Sequence, residues 1–217
     1  GKASVPMTLI TFAGGLDGSG CVHSQSPESW ITNTPGLKIA VPTFAADAKG
    51  LLTTCLRDDD PTVFLAGKVC MFAKGDVPEG ENVVPLGKGN IVKEGKDVTV
   101  VAWHRALFDT MSIVAELEAE GISVEVVDPR TLLPFDYETV AKSVQKTGRL
   151  LVASEAPKRY SCTGEIVSFV AEECFADLKK PPVRLGSPNT PIPSFQLEDK
   201  WRLGKDDIKQ AVVKLMA

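Results

Sequence analysis

From Asp97 onward, apolar runs rich in β-branched residues alternate with amphipathic segments. This alternation is typical of a mostly parallel sheet covered by helices, so the pattern predicts an α/β fold. Asp136 is predicted to cap a helix, because its carboxylate can accept bonds from free backbone N–H groups, and Gly148 suits the left-handed turn that ends one. The predicted strands are 98–103, 123–127, 150–154 and 182–185, and the predicted helices are 107–120, 136–145, 164–175 and 205–216.

The first part of the chain has fewer predicted strands. They are 7–12, 38–41 and 62–65, with one helix at 45–57. Three strands are fewer than a typical sheet contains, and the sequence begins close to the first of them. We therefore expect residues 1–72 to be the later part of a truncated domain. Residues 73–96 are rich in glycine, proline and charge and are interpreted as a linker with a short strand at 83–86, followed by a second domain over 97–217.

Composition excludes several classes of protein. The 217 residues are 43% hydrophobic and 24% charged, which is typical of a folded protein, and no apolar run approaches the ~20 residues that span a membrane. A net charge of −4 without a basic cluster argues against nucleic-acid binding. The five cysteines form no C-x-x-C pair, which indicates reduced thiols in the cytoplasm or the mitochondrial matrix and no zinc site.

Three segments are candidates for chemistry, and the first is the glycine-rich loop at residues 14–20. Its small residues allow either a flexible turn or a close approach of the backbone to a ligand. It is not a dinucleotide fingerprint, because His23 stands where G-x-G-x-x-G requires its third glycine.

The second candidate is His23 itself, which follows this loop and precedes a short helix predicted to open at Ser26 and Pro27. An imidazole can shuttle protons near neutral pH, but a histidine here can also simply cap a helix. His104 ends a predicted strand, where sites of α/β proteins often lie, yet an exposed loop histidine is the favoured interpretation.

The third candidate is the acidic segment Thr54–Pro61 at the end of a predicted helix. Free carbonyl groups at a helix C-terminus together with carboxylates form an oxygen-rich site that suits a hard cation. A solvated turn explains the same residues.

Motifs along the whole chain point to one family. They include HSQSPE from His23, PGLKI from Pro35, DAKGLL from Asp47, RDDDP from Arg57, GKDVTVVAW from Gly95, VVDPRT from Val126, KTGRLL from Lys146 and EAP from Glu155. In order and spacing they resemble the β subunit of the thiamine-diphosphate-dependent 2-oxo acid dehydrogenase E1 component. EECF from Glu172, TPIP from Thr190 and DKW from Asp199 favour its branched-chain, or 2-oxoisovalerate, members.

The resemblance implies a pyrimidine-binding domain, here without its N-terminal part, followed by a transketolase C-terminal-like domain. It also implies an α2β2 heterotetramer with a second β subunit and the E1 α subunit. Thiamine diphosphate would be shared with α, magnesium would lie on α, and the lipoyl domain and core of the acyltransferase E2 would be further partners. A glutamate that activates the cofactor belongs to the absent part, so the fragment is expected to be inactive alone.

The resemblance also assigns residues. His23 matches a catalytic histidine that acts in reductive acylation of the lipoyl group, where it can protonate the departing thiolate. A potassium ion is implied as well. Its ligands would be Thr8, Asp58 and Asp60 together with main-chain oxygen atoms of Met7 and Cys55.

Four residues depart from the family pattern: Ile10, Ala66, Met71 and His104. Loss of an arginine at 10 and a glutamate at 66 suggests a lost ion pair or a lost loop contact. From the resemblance as a whole, the main hypothesis is a catalytic E1 β subunit. A non-catalytic assembly or scaffold paralogue and a pyruvate or acetoin dehydrogenase β subunit remain as alternatives.

Overall fold

The computed structural model describes residues 3–217, which form two sheets and eight α-helices. The elements of the first part are β1 (Thr8–Ala13), α1 (Gly20–His23), α2 (Glu28–Thr32), β2 (Lys38–Ala40), α3 (Ala45–Leu56) and β3 (Thr62–Gly67). Those of the second part are β4 (Asn90–Lys93), β5 (Val98–Ala102), α4 (His104–Ala119), β6 (Val124–Asp128), β7 (Thr131–Leu133), α5 (Tyr137–Thr147), β8 (Leu150–Pro157), α6 (Thr163–Glu173), β9 (Val183–Ser187), α7 (Gln196–Trp201) and α8 (Lys205–Met216).

The second sheet has the order β4-β6-β5-β8-β9, and all its pairs are parallel except β4 with β6. Side chains alternate across it, as the period of a strand requires. Val98 and Val100 face a core with α4 and α8, whereas Val101 faces a core with α5 and α6. A mostly parallel sheet with helices on both faces confirms the predicted fold class.

The first sheet has the order β1-β3-β2-β7. β1 and β2 pair in parallel with β3, while β7 pairs in antiparallel with β2. Helix α3 covers one face, where Leu51 and Cys55 pack with Phe64. The strand β7 follows β6 in the chain, so the later part of the sequence supplies the last strand of the earlier sheet.

Further contacts join the two sheets. Arg130, directly before β7, lies with its guanidinium 2.6 Å from the carboxylate of Asp47 in α3. The backbone N–H of His104 donates to the hydroxyl of Thr43 at 2.9 Å. Ile39 and Leu65 of the first sheet share a buried cluster with Val101 of the second. The two sheets therefore form one packed body.

Local signals in the sequence account for most element ends. Asp136 accepts a bond from the N–H of Thr139 at 3.1 Å, and Gly148 has a φ of 75°, so the predicted start and end of α5 are confirmed. The predicted strand at 83–86 does not form, because Val84 packs as irregular backbone against α3. Residues 90–93 form β4 inside the segment interpreted as a linker. None of the helices described in residues 3–217 has both the length and the apolar character of a membrane span.

Candidate functional site

The glycine loop, residues 14–20, connects β1 to the single helical turn α1, and His23 is the last residue of that turn. The loop is closed at its base by the N–H of Gly14, which donates to the carbonyl of Gln25 at 2.9 Å. The imidazole of His23 is exposed. This places an imidazole on the surface beyond the carboxyl end of β1.

His23 borders an open cleft of about 510 Å³. Lys68 also lines the cleft and donates from its ammonium group to the carbonyl of His23. The hydroxyl of Ser19 donates to Asp17 at 2.5 Å and lowers the pKa of that carboxyl. The remaining lining residues are Thr11, Phe12, Val22, Gln25 and Pro27. A molecule in the cleft could therefore meet an imidazole, an ammonium group and a carboxylate.

The glycine loop is bound by the second part of the chain. Glu155 at the end of β8 accepts a bond from the N–H of Gly15 at 3.0 Å, and Arg105 donates to the carbonyl of the same residue at 3.2 Å. The N–H of Phe195 donates to the carbonyl of Gly18 at 2.8 Å. The interpretation as a plain flexible turn is therefore wrong for this loop.

Glycine at positions 14 and 15 leaves room for two carboxylates. A Cβ added at Gly14 would lie 2.3 Å from Glu155, and one added at Gly15 would lie 2.3 Å from Glu198. Both distances are far below van der Waals contact, so a side chain would push the carboxylates away. Sequence reasoning missed Glu155 and Glu198 because they lie far from the loop in the chain.

Glu28, at the start of α2, is a buried acid close in sequence to His23 and is 1% exposed. The indole N–H of Trp103 donates to one of its carboxylate oxygens at 3.3 Å. The other oxygen has no hydrogen-bond partner among residues 3–217. Burial raises the pKa of Glu28 to about 7. The HSQSPE motif thus ends in a carboxyl group that can hold a proton near neutral pH.

His104 is buried rather than exposed, so the favoured interpretation of it was wrong. It is 3% exposed, and its Nε2 lies 3.0 Å from the carbonyl oxygen of Leu65. Burial lowers its pKa to about 4. Its φ of 51° is in the left-handed region that favours glycine, which fits the glycine expected there from the resemblance. The neutral imidazole is a packing group between the two sheets.

The predicted potassium ligands lie near the start of β1, at the end opposite the glycine loop. The hydroxyl of Thr8 donates to the carbonyl of Cys55 at 3.0 Å, and the carbonyl of Met7 accepts from the N–H of Thr62 at 2.9 Å. These oxygens are of the type that a hard cation prefers. Because β1 rises ~3.3 Å per residue, this group lies roughly 15 Å or more from the loop that carries His23.

The two carboxylates of this group are paired with an ammonium ion. Lys38 lies 2.8 Å from Asp58 and 2.9 Å from Asp60. Within residues 3–217, no cluster of three or more histidine, cysteine or acidic side chains could hold a metal ion. The oxygens of Thr8 and Cys55 therefore fit a cation by type, while Asp58 and Asp60 already have Lys38 as a positive partner.

Ile10 and Ala66, two of the residues that depart from the family pattern, lie on the neighbouring strands β1 and β3. Ile10 pairs in register with Phe64, and Phe12 pairs with Ala66. Residues 10 and 66 therefore point to the same face and are diagonal neighbours, close enough for long side chains to meet. Ile10 is 52% exposed. An arginine and a glutamate at these positions could have paired, as the resemblance suggested.

The second sheet lies within a segment that matches a known protein family. Residues 87–208 match the family "Transketolase, C-terminal domain". This match includes all five strands of that sheet and the helices α4, α5 and α6. The chain belongs to this family.

Individual relatives are more specific. The chain is 39% identical to the β subunit of acetoin:2,6-dichlorophenolindophenol oxidoreductase from Bacillus subtilis (strain 168), over 100% of this chain and 64% of the relative. It is 41% identical to the mitochondrial 2-oxoisovalerate dehydrogenase β subunit of Dictyostelium discoideum, over 86% of this chain and 51% of the relative. The predicted resemblance to E1 β subunits is confirmed, and the chain spans less than two thirds of the length of these relatives.

A solved structure supports the same architecture. A split-gene transketolase, described as an inactive beta4 tetramer, matches with a TM-score of 0.79 and 25% sequence identity. The match covers 98% of this chain and 67% of the other. Both sheets and their connections therefore belong to the transketolase-like fold.

Proposed function

We propose that this chain is part of a β subunit of a thiamine-diphosphate-dependent 2-oxo acid dehydrogenase E1, acting on a branched-chain 2-oxo acid. Its partners would be an E1 α subunit, a second β subunit, and the lipoyl domain and core of an acyltransferase E2. The reaction is oxidative decarboxylation followed by reductive acylation of the lipoyl group. The compartment would be the cytoplasm or the mitochondrial matrix.

The observation that carries the proposal is the exposed imidazole of His23 beside an open cleft, in the helical turn that follows a glycine loop bound by Glu155. Thiamine diphosphate, when bound between the subunits, supplies the stabilisation of negative charge that decarboxylation needs. In reductive acylation, one sulfur of the lipoyl disulfide takes the acyl group. The other sulfur leaves as a thiolate that needs a proton, and His23 would donate it.

Substitution of His23 by Ala in the assembled enzyme tests this role. Acyl transfer to the lipoyl domain should fall at least ~100-fold, because general acid catalysis typically contributes that much. Oxidation with 2,6-dichlorophenolindophenol as acceptor needs no proton transfer to a thiolate and should persist. Substitution of Glu172, which is exposed and does not line the cleft, by Ala is the control. Equal acyl transfer by wild type and His23→Ala would reject the role.

The names of the relatives include acetoin, 2-oxoisovalerate and pyruvate, so they do not favour a single substrate. Measuring kcat/KM for pyruvate and for branched 2-oxo acids with the assembled enzyme decides between them. The scaffold alternative is supported by the departures at Ile10 and Ala66 on β1 and β3. A scaffold would assemble with α but show no turnover with any of these substrates.

Potassium is part of the proposal through Thr8, Asp58, Asp60 and the main-chain oxygens of Met7 and Cys55. The hydrogen bond from Thr8 to the carbonyl of Cys55, and the pairing of Lys38 with both Asp58 and Asp60, support a common site for these groups. If potassium binds there, KCl should raise the Tm of the protein more than NaCl at equal ionic strength. Substitution of Thr8 by Val, which removes the hydroxyl, should abolish that difference.

A further inference from the structure

The short helix α1 needs support from outside itself. It has four residues, whereas isolated helices shorter than about 12–15 residues are marginal in water. Its N-cap residue Ser19 makes no side-chain capping bond, and its last residue His23 is exposed. The position of the imidazole therefore depends on whatever fixes this single turn.

Glu198 in α7 supplies that support from the second part of the chain. Its Oε2 accepts a bond from the N–H of Gly20 at 3.0 Å and another from the hydroxyl of Ser24 at 2.6 Å. Gly20 is the first residue of α1 and Ser24 is its C-cap, so one oxygen atom binds both ends of the turn. Two hydrogen bonds to one buried oxygen atom hold the two ends of the turn at a fixed separation.

The carboxylate of Glu198 is itself fixed in place. It is 2% exposed, and Arg202 lies one helical turn further on with its guanidinium 3.9 Å from Oε1. The chain before α7 also packs on the loop, since a Cβ at Gly20 would lie 2.3 Å from the hydroxyl of Ser194. Glu198 is thus a buried acceptor whose Oε2 binds α1, while its Oε1 makes no hydrogen bond within residues 3–217.

We propose that Glu198 is a positioning residue for His23: its buried carboxylate binds both ends of α1 and so couples the imidazole to the second sheet. This inference rests on the proposed role of His23. Misplacement of a catalytic group by ~1 Å can cost on the order of 100-fold in rate, so loss of these two bonds should be visible in acyl transfer.

The test compares Glu198→Ala with Glu198→Gln in the assembled enzyme. Glu198→Ala should lower kcat for acyl transfer to the lipoyl domain at least ~10-fold, with dye-linked oxidation within about 3-fold of wild type. Glu198→Gln should restore most of the transfer, because its side-chain carbonyl can still accept both bonds. Glu125→Gln is the matched control, since Glu125 is equally buried but contacts Gly95 and Lys146 instead of the loop.

A second measurement needs no partner. Amide hydrogen exchange over residues 20–24 should become at least ~10-fold faster in Glu198→Ala and should stay unchanged in Glu125→Gln. If Glu198→Ala does not fold, Ser24→Ala removes one of the two bonds and should give a smaller change of the same kind. Unchanged exchange, or a parallel loss of both activities in Glu198→Ala, would overturn the inference.

The two proposals can fail separately. If His23→Ala transfers acyl groups normally, the proposed function of His23 fails, while fast exchange in Glu198→Ala still shows that Glu198 fixes α1. If His23→Ala is inactive in transfer but Glu198→Ala is not, the positioning inference fails and the function of His23 stands.

Discussion

Glu28 shows what burial does to one ionisable side chain. In the unfolded chain it gives up its proton near the ordinary pKa of 4.5, whereas burial raises the pKa to about 7 in the folded protein. Between these values the folded state binds more protons than the unfolded state. Stability therefore falls as the pH rises through this range and levels off above about 7.

Substitution of Glu28 by Gln should remove this dependence. At pH 8 the variant should have a free energy of unfolding up to about 3 kcal/mol above that of wild type, because no buried charge must be kept. At pH 5 the difference should nearly vanish. Urea unfolding at both pH values measures it, and Glu172→Gln, at an exposed position, should change neither value. An equal difference at pH 5 and pH 8 would contradict the assignment.

A second prediction at the scale of single residues concerns Gly67, which lies against His104. A Cβ added at Gly67 would lie 2.7 Å from Cγ of His104, and the buried ring has little room to move. Gly67→Ala should lower the free energy of unfolding by about 1–3 kcal/mol through overpacking. Gly75→Ala is the control, because its nearest neighbour would be the Cβ of Ala45 at 3.9 Å. Equal stability of the two variants in thermal unfolding would refute this prediction.

At the scale of single elements, α5 is defined by residues that the sequence makes visible. Asp136 accepts bonds from the N–H and the hydroxyl of Thr139, at 3.1 and 2.8 Å. It also accepts from the N–H of Gly89 at 3.0 Å, which fixes the chain just before β4. One side chain therefore starts a helix and secures the entry to an edge strand.

Asp136→Ala should lower the free energy of unfolding by about 2 kcal/mol, at the upper end of the usual loss for an N-cap, because the bond to Gly89 is lost as well. Asp136→Asn keeps an acceptor for Thr139 and should lose about half as much. Chemical denaturation of the two variants beside wild type measures both effects. A larger loss for Asn than for Ala would contradict the capping role.

Elements with local signals were predicted well, and those defined by distant partners were not. The helix at 205–216 was predicted with the bounds that it has, because Ile208, Val212 and Leu215 repeat at helical spacing. The short strand β7 was missed, since its only described strand partner is β2, far away in sequence. The same limit applies to the site: His23 was named from its motif, whereas Glu155 and Glu198 reach the loop only through the fold.

At the scale of the whole molecule, the two sheets are joined by contacts and by a strand that the later part of the chain supplies to the earlier sheet. β7 completes the first sheet from the second part of the chain, and Arg130 beside it reaches Asp47. The connecting residues 74–81 are exposed throughout, and they bond to the side chains of Lys49 and Arg57 in the first part of the chain. Cohesion between the parts therefore does not depend on the connecting segment.

A protease site introduced between Gly75 and Gly80 should leave the cut protein in one piece under native conditions. The two fragments should elute together in size-exclusion chromatography at the volume of uncut protein, because β7 and β2 remain paired. Denaturing electrophoresis of the same peak should show both fragments. Separate elution would show that the connection, and not the shared sheet, joins the two parts.

The origin of β7 also has a consequence for biosynthesis. β2 emerges from the ribosome well before Leu133, so one of its edges stays open while the following helices and strands are still being translated. An open strand edge is a template for pairing with other chains. Nascent polypeptides that stall before Leu133 should therefore be more prone to aggregate, and to recruit chaperones, than those that stall after it.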